Sequence, residues 1–307
     1  MSSYAIRRFS DGFLNFMING KLLSRRWFKN GSETFRNGFA MVQREDDRWT
    51  FVREDGKIFN YRWYKCIREF SEGFAAVQRV EDGLWNFITT NGRLLSRKIW
   101  FESVGDFCEG FAIVERQNGK YCFISENGNF IANGKKFDEV CDFCEGFAAV
   151  RLGKKWNYID KNGNYLLKDW YKSVDDLANG YGVVLRADNK ENHVDRNGNF
   201  ISDTWYEHCY DFCEDFAIVI NEEGKFNYID KNGKLISEIW FAMAKDFVNG
   251  FAEVQDEECN LNLLKKNGEL ISEEWFEEIN IVDNNKIEVL RQDSTEWKII
   301  ILEEELE

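Results

Sequence analysis

The stretch that decides the fold reads EGFAAVRLGKKWNYIDKNG and spans residues 145–163. Its residues 146–151 predict one short strand and residues 156–160 predict a second, because Val, Ile and aromatic side chains favour strands. The Asn-Gly pair at 162–163 favours positive φ at both central positions of a type I′ hairpin turn. A third strand is expected over residues 165–171, which end in a Trp-Tyr pair.

The same unit returns every 34–37 residues along almost the whole chain. Its anchor is the glycine, or its one substitute, before the first aromatic residue: Gly38, Gly73, Gly110, Gly146, Gly180, Asp215 and Gly250. A fixed period of this size is typical of arrays in which each unit packs only on its neighbours. The sequence therefore predicts an all-β fold of about eight tandem three-stranded β-hairpin repeats in a single domain, residues 1–307, with an acidic tail at 302–307.

The chain ends bear on whether the array closes. Residues 13–17 match the second strand of a unit, and residues 287–301 supply the first and second strands of an unfinished one. A closed propeller-like ring would join the two ends in one blade, but the second strand would then be present twice. Apolar residues on both faces of the strands indicate a neighbour on each side. We therefore favour an open solenoid or superhelix.

Charge narrows the classes of partner. The chain has 54 Asp and Glu against 40 Lys and Arg, a net charge of −14. This argues against nucleic acid, whose phosphates need Lys and Arg, and against anionic membranes. A protein partner with a basic surface fits better. No apolar segment resembles a signal peptide or a membrane span, so we expect a cytoplasmic location.

The repeated segments resemble the bacterial WG β-repeat proteins. Their unit pairs a Gly-Phe/Leu-Ala-x-Val strand with a Lys-Trp-Gly-Tyr/Phe-Ile-Asp strand before an Asn-Gly or similar turn, as in residues 146–160 and 225–230 here. The resemblance runs from about residue 13 to residue 301 but lacks the glycine after the tryptophan in every unit, which marks a divergent subgroup. It implies a bacterial or phage origin and no enzymatic activity.

Asparagine holds that glycine position in most units. Asn86, Asn157 and Asn227 share one phase with Asn192 and Asn262, so a stacked array would place them in a row. Such a row could bind an extended peptide or a glycan through its amides. The alternative, which we favour, is a structural ladder whose amides bond one another or neighbouring backbone.

A Trp-aromatic pair and an acidic row also recur. The tryptophans could be platforms for sugars, but seven exposed rings would be a solubility liability, so burial between units is favoured. Glu109, Glu145 and Glu214 precede the anchor position, and Asp142 and Asp211 stand three residues earlier. These carboxylates could bind a basic partner or form a solvated edge that blocks strand pairing between molecules.

No signature of catalysis or metal binding stands out. The chain has 8 cysteines and 2 histidines, and Cys108, Cys144 and Cys213 hold one repeat position otherwise filled mostly by small residues. Packing is therefore expected of them, rather than metal or disulfide bonds. We predict no catalytic residues, metal or cofactor. The pattern breaks at Lys136 and His193 are interpreted as drift.

The combined expectation is a non-enzymatic interaction module or scaffold. It would bind a protein partner through a repeated acidic and aromatic surface, as a phage or bacterial inhibitor or adaptor. The alternative is a carbohydrate-binding repeat protein with one aromatic platform in each unit. An enzyme with an embedded site ranks third, because repetition argues against any single pair of carboxylates being special.

Overall fold

Nine three-stranded antiparallel sheets follow one another along the chain. The computed structural model describes residues 4–8, 12–18, 21–283, 286–291, 294 and 296–301. Within these ranges the only helix is a short 3-10 helix, Ile131–Gly134. The all-β prediction of tandem three-stranded units is confirmed. The predicted acidic tail at 302–307 lies outside the described residues.

The strands of each sheet are consecutive in sequence. The first three sheets are β1 Tyr4–Arg8, β2 Leu14–Ile18 and β3 Lys21–Leu22; β4 Asn30–Gly31, β5 Phe39–Gln43 and β6 Trp49–Arg53; and β7 Cys66–Ser71, β8 Phe74–Gln78 and β9 Trp85–Thr89. The next three are β10 Ser103–Val104, β11 Phe111–Arg116 and β12 Lys120–Ser125; β13 Glu139–Val140, β14 Phe147–Leu152 and β15 Lys155–Asp160; and β16 Ser173–Val174, β17 Tyr181–Leu185 and β18 Glu191–Asp195. The last three are β19 His208–Cys213, β20 Phe216–Ile220 and β21 Phe226–Asp230; β22 Met243–Ala244, β23 Phe251–Gln255 and β24 Leu261–Lys265; and β25 Glu278–Asp283, β26 Lys286–Leu290 and β27 Trp297–Ile301.

The predicted third strand over residues 165–171 is wrong. This segment is not a strand: its backbone bonds to β15 include the isolated bridge between Trp156 and Tyr171 and one bond from the Leu166 amide to the Tyr158 carbonyl (3.0 Å). From the second sheet on, the remaining strand comes instead from the acidic segment before the anchor turn. That strand is often only two residues long, so it leaves no β-forming run in the sequence.

The Asn-Gly turn at 162–163 is not type I′. Only Gly163 is left-handed there (φ 82°), and its amide bonds the Asp160 carbonyl at 2.9 Å, as in a type I turn followed by a left-handed glycine. The Asp160 carboxylate also accepts the amides of Asn162 (2.9 Å) and Asn164 (2.8 Å). This side chain holds the wider loop, which the dipeptide alone does not indicate.

The two-residue type I′ turns lie at the anchor position. Glu109 and Gly110 both have positive φ, 52° and 87°. The residues on either side, Cys108 and Phe111, exchange two backbone hydrogen bonds of 2.8 and 3.1 Å. Since such a turn requires positive φ at both central residues, the glycine at the second position is explained by backbone geometry.

The apolar core lies between consecutive sheets. One cluster joins Val183 of β17 to Cys209 and Phe212 of β19 and to Val219 of β20. The prediction that both faces of a unit are covered is therefore confirmed. Aromatic pairs connect the anchor strand of one unit to the segment before the anchor turn of the next: Phe39 with Phe70 (4.4 Å between centroids), Phe74 with Phe107 (4.2 Å), Tyr181 with Phe212 (4.4 Å) and Phe216 with Phe247 (4.7 Å).

The two chain ends belong to different sheets, β1–β3 and β25–β27. Across the described ranges, no sheet combines strands from both ends and none is closed, as expected of open tandem repeats. The chain divides into two compact units: Met1–Gly153 with Ile159–Asn164, and Lys154–Tyr158 with Tyr165–Glu307. Both are built from the same repeat, and the single repeat domain stays a prediction.

Candidate functional site

The candidate Asn residues lie inside the sheets. Asn86, Asn157 and Asn227 are 0% exposed. The Asn157 amide donates to the carbonyls of Leu167 (2.9 Å) and Asp169 (3.0 Å). Asn86 likewise donates to Ser96 (2.7 Å) and Ile99 (3.0 Å), and Asn227 to Ser237 (2.9 Å) and Ile239 (3.1 Å). Both amide hydrogens are thus used within the same unit, which favours a structural role over a row of free donors.

These bonds compensate for an irregular segment. After the Asn-Gly turn the chain leaves the sheet edge, and its carbonyls would lose their partners without the Asn side chain. Where Thr50 replaces Asn, its hydroxyl makes one bond, to the Arg62 carbonyl at 2.7 Å. Where Cys122 replaces Asn, the same segment contains the 3-10 helix Ile131–Gly134. A helical turn supplies its own carbonyl partners locally.

The Glu side chains before the anchor glycines connect consecutive units. The Glu72 carboxylate accepts the amides of Glu109 (2.9 Å) and Gly110 (2.8 Å) in the next unit. Glu109 repeats the contact, since its carboxylate accepts the Gly146 amide at 2.8 Å and lies 3.2 Å from the Lys161 ammonium. The left-handed turn of one unit is therefore held by the carboxylate of the unit before it.

The charged form of Glu109 is the one these contacts require. Partial burial acts to raise the pKa of Glu109, but the Gly146 amide and the Lys161 ammonium outweigh it, so the pKa lies below its usual value. The carboxylate also bonds the Glu145 amide, so the structure brings Glu109 and Glu145 together. The negative charge of Glu109 therefore stabilises the contact between consecutive units.

The remaining acidic candidates are differently placed. Glu214 pairs with Lys266 at 2.8 Å, and its neighbour Asp215 pairs with Lys231 at 2.6 Å. Asp215 stands in the glycine column without adopting positive φ. Asp142 and Asp211 are exposed and precede the turns at 145 and 214. Of the eight candidate residues, these two and Glu214 are the exposed ones.

The tryptophans lie between units but keep exposed area. All seven are half-buried: Trp27, Trp63, Trp100, Trp170, Trp205, Trp240 and Trp275. Trp63 packs against the cluster of Leu14 and Phe28 from the preceding unit, and Trp240 against that of Tyr206. The expectation of packing between units is met in part, because each ring also reaches the surface.

Arginine covers several of these rings, and sequence inspection missed it. The guanidinium groups of Arg44, Arg79 and Arg186 lie 4.7, 4.5 and 4.5 Å from the ring centroids of Trp63, Trp100 and Trp205, respectively. Each Arg is also paired with an Asp of its own hairpin loop: Asp46, Asp82 and Asp188. The signal was present, because an Arg stands six residues after the anchor in each of these units. A cation over the ring removes stacking surface that a sugar would need.

The model of the WG-containing repeat matches residues 98–121, 123–156 and 228–258. This chain contains WG repeats. The matched segments lie in both compact units and include the anchor strands β11, β14 and β23. A search of the curated proteins finds no match to it.

Solved structures with some similarity to this WG-repeat protein have low scores. They include the computationally designed Ika8 protein (12% identity over 88% of this chain and 95% of that one, TM-score 0.33). BamB from Moraxella catarrhalis has 9% identity over 95% and 97%, with a TM-score of 0.32. Apo AztD from Citrobacter koseri has 11% identity over 89% and 94%, with a TM-score of 0.33. These likenesses carry no argument about fold or function.

Charge in this WG-repeat protein is distributed unevenly along the chain. Residues 1–100 hold 18 Lys and Arg against 11 Asp and Glu, whereas residues 201–307 hold 9 against 27. The net charge of the whole chain hides this contrast, which a count by segment would have revealed. The last third of the sequence is therefore strongly acidic.

Three further features bear on function in the part of the chain that the structure describes: possible metal ligands, cysteines and membrane-spanning helices. No group of three His, Cys, Asp or Glu side chains there is placed to hold a metal ion. The eight cysteines are free thiols. No helix among the described residues has the length and apolar character needed to cross a bilayer.

Proposed function

We propose that this WG-repeat protein is a non-enzymatic interaction module that binds a protein partner with a basic surface. The observation that carries the proposal is the concentration of 27 Asp and Glu against 9 Lys and Arg in residues 201–307. Dense surface charge of one sign attracts a complementary partner and speeds the encounter. A bacterial or phage adaptor or inhibitor acting in the cytoplasm fits this chemistry.

Repetition places acidic side chains at equivalent positions of consecutive units. Glu223 and Glu258 occupy equivalent hairpin loops of consecutive units, and Glu273 and Glu277 flank the half-buried Trp275. All four carboxylates are exposed, and none forms an ion pair with another described residue. We call Glu223, Glu258, Glu273 and Glu277 the acidic patch. Charges that are not already paired within the molecule remain available to a partner.

The carbohydrate alternative has less support. Stacking on a sugar needs an open ring face, and the Trp63 ring is covered by Arg44 and packed on the preceding unit. Trp205 has Arg186 at 4.5 Å and Tyr171 stacked at 6.3 Å. A glycan-binding outcome would therefore have to use the uncovered rings of other units.

The proposal is tested by affinity capture from native lysate in low and high salt. The tagged wild type is compared with a variant that neutralises the acidic patch, Glu223→Gln, Glu258→Gln, Glu273→Gln and Glu277→Gln. We expect a specific protein with the wild type at low salt, and at least about a tenfold loss of it in the variant and at high salt, because screening weakens exposed charge pairs.

A matched control keeps the change in net charge constant. The variant Glu45→Gln, Glu54→Gln, Glu81→Gln and Glu126→Gln also removes four exposed carboxylates, but from the first half of the chain. It is expected to capture the partner like the wild type. Equal losses in both variants, or no specific protein at either salt concentration, would exclude the acidic patch and bring glycan arrays forward.

A further inference from the structure

A cavity of about 640 Å³ opens between two consecutive repeats of the N-terminal part. Its lining includes the indole of Trp100 and one carboxylate, that of Asp82. Four basic side chains also line it: Arg79, Lys98, Arg116 and Lys136. In a chain with a net charge of −14, four cations at one cavity call for a physical explanation.

One of the four cations is already neutralised. The Arg79 guanidinium makes two hydrogen bonds to the Asp82 carboxylate, one of 2.8 Å from Nε, and lies 4.5 Å from the Trp100 centroid. The hydrogen bond from Arg79 holds the pKa of Asp82 below its usual value. This pair forms one wall of the cavity and leaves no net charge there.

The other three cations have no such counterpart. Lys98, Arg116 and Lys136 form no ion pair with any carboxylate of the described residues. Like charges that face one cavity repel each other, and a bound anion would relieve that repulsion. The Arg116 guanidinium lies 4.9 Å from the Phe130 ring centroid, which restrains its direction.

Lys136 is the break in the Trp column. Every other Trp-aromatic pair starts with Trp, whereas here Lys136 precedes Phe137, which stays buried at 2% exposure. Only the half-exposed position of the pair has therefore changed, from a ring to a cation. Because the change lies at the cavity, drift is no longer the simplest interpretation.

In the acidic last third of the chain, none of the equivalent positions is basic and two are acidic. Asn221 corresponds to Arg79, and the positions of Lys98, Arg116 and Lys136 are held by Glu238, Asp256 and Trp275. The repeat framework therefore does not demand cations at these places. All four positions are basic together only in this pair of units.

We propose that this cavity binds a small polyanion with two or more phosphate or carboxylate groups, held by Lys98, Arg116 and Lys136 beside Trp100. Ammonium and guanidinium groups form their strongest hydrogen bonds with these anions. A volume of this size suits a small molecule rather than a chain segment. The site is independent of the acidic patch and does not rest on the proposed function.

Isothermal titration of the full chain with pyrophosphate and, separately, citrate tests the site at about 50 mM salt, where screening is modest. We expect one binding event, and the tighter of the two anions identifies phosphate or carboxylate as the preferred group. The variant Lys98→Ala with Lys136→Ala should lose at least about tenfold in affinity. The control Lys154→Ala with Lys155→Ala removes two exposed lysines elsewhere and should bind like the wild type.

A second variant separates binding from folding. Lys136→Trp restores the residue found in the other seven pairs, so the midpoint of thermal unfolding should stay at or above that of the wild type. Its affinity for the preferred anion should fall at least about fivefold, because one of three unpaired cations is lost. The proposal is overturned if the wild type binds neither anion, if the double variant binds like its control, or if Lys136→Trp binds like the wild type.

Discussion

Single asparagines in this molecule replace part of a strand. Asn227 is fully buried. Its side-chain amide donates hydrogen bonds to the carbonyls of Ser237 and Ile239, in the segment where the chain leaves the sheet edge. Its side-chain oxygen also accepts the Tyr228 amide at 2.7 Å. A residue with this set of bonds has no polar atom left for a ligand, which explains why the column persists without forming a binding row.

We expect Asn227→Ala to lower the free energy of unfolding by about 2 to 4 kcal/mol, because the buried Ser237 carbonyl, the partly buried Ile239 carbonyl and the buried Tyr228 amide lose a partner. Urea denaturation followed by circular dichroism measures the change. The control Asn127→Ala, at an exposed turn position, should cost less than about 0.5 kcal/mol. Equal, small effects in the two variants would show that the Asn227 bonds contribute little.

Residue columns could be aligned from sequence, but the direction of their side chains could not. The repeat showed that Asn86 and Asn157 are equivalent, and the ladder interpretation rightly included bonds to neighbouring backbone. It could not show which carbonyls lie near, because these belong to an irregular segment with no periodic pattern. The Arg over Trp100 was missed for a related reason, since its contact is 21 residues away in sequence.

At the scale of elements, a polar contact accompanies the packing of one sheet on the next. The aromatic residue after the Asn reaches into the following unit, where the Tyr228 hydroxyl donates to the Lys245 carbonyl at 2.6 Å. His193 fills this slot in the sixth sheet, and its Nε2 lies 2.7 Å from the Tyr210 carbonyl. Its Nδ1 has no partner among the described residues. Burial therefore favours the neutral form of this imidazole.

This predicts an acid-sensitive element. Burial lowers the pKa of His193 from its ordinary 6.5, against smaller raising effects of the Tyr210 carbonyl and the Asp211 carboxylate. Below about pH 6.5 the unfolded chain binds a proton that the folded chain does not, so stability falls as pH decreases toward the folded pKa. His193→Tyr keeps the hydrogen bond without a titrating group. Its gain over the wild type in urea denaturation should therefore grow from pH 7.5 to pH 5.5.

The reciprocal variant supplies the control for that series. Tyr228→His places an imidazole in the equivalent slot of the next unit, where Tyr228 is 1% exposed. It should introduce a loss of stability that deepens over the same pH interval. If both differences stay constant with pH, the buried imidazole is not the origin of the acid sensitivity.

The strands and their order could be predicted only in part from the sequence. Residues 146–151 and 156–160 have strong β-forming composition, and both form strands, β14 and β15. The strand before the anchor turn was missed because it can be as short as Ser173–Val174 and is held by its register with β17. Its neighbours in sequence are two acidic residues and the buried Leu177, a pattern that resembles a linker. Packing between sheets, rather than local propensity, makes it a strand.

At the scale of the whole molecule, the same repeat unit carries a basic excess in one part of the chain and an acidic excess in another. Residues 1–100 have a basic excess and contribute Arg79 and Lys98 to the proposed anion site, while residues 201–307 carry the acidic patch. Half-exposed positions tolerate side chains of either charge, because the core between units is formed by other repeat positions, which are buried. The framework therefore allows different surfaces to arise along one chain, which the average charge of −14 could not reveal.

The most direct test of the acidic interaction surface is carbodiimide crosslinking of the tagged protein in native lysate, followed by mass spectrometry. The reagent joins a carboxylate to an amine only where the two are already in contact. We expect partner lysines joined mainly to Glu and Asp of residues 201–307, with the patch residues among them, and loss of these products at high salt. Crosslinks confined to residues 1–100, or a pattern unchanged by salt, would contradict an acidic binding surface.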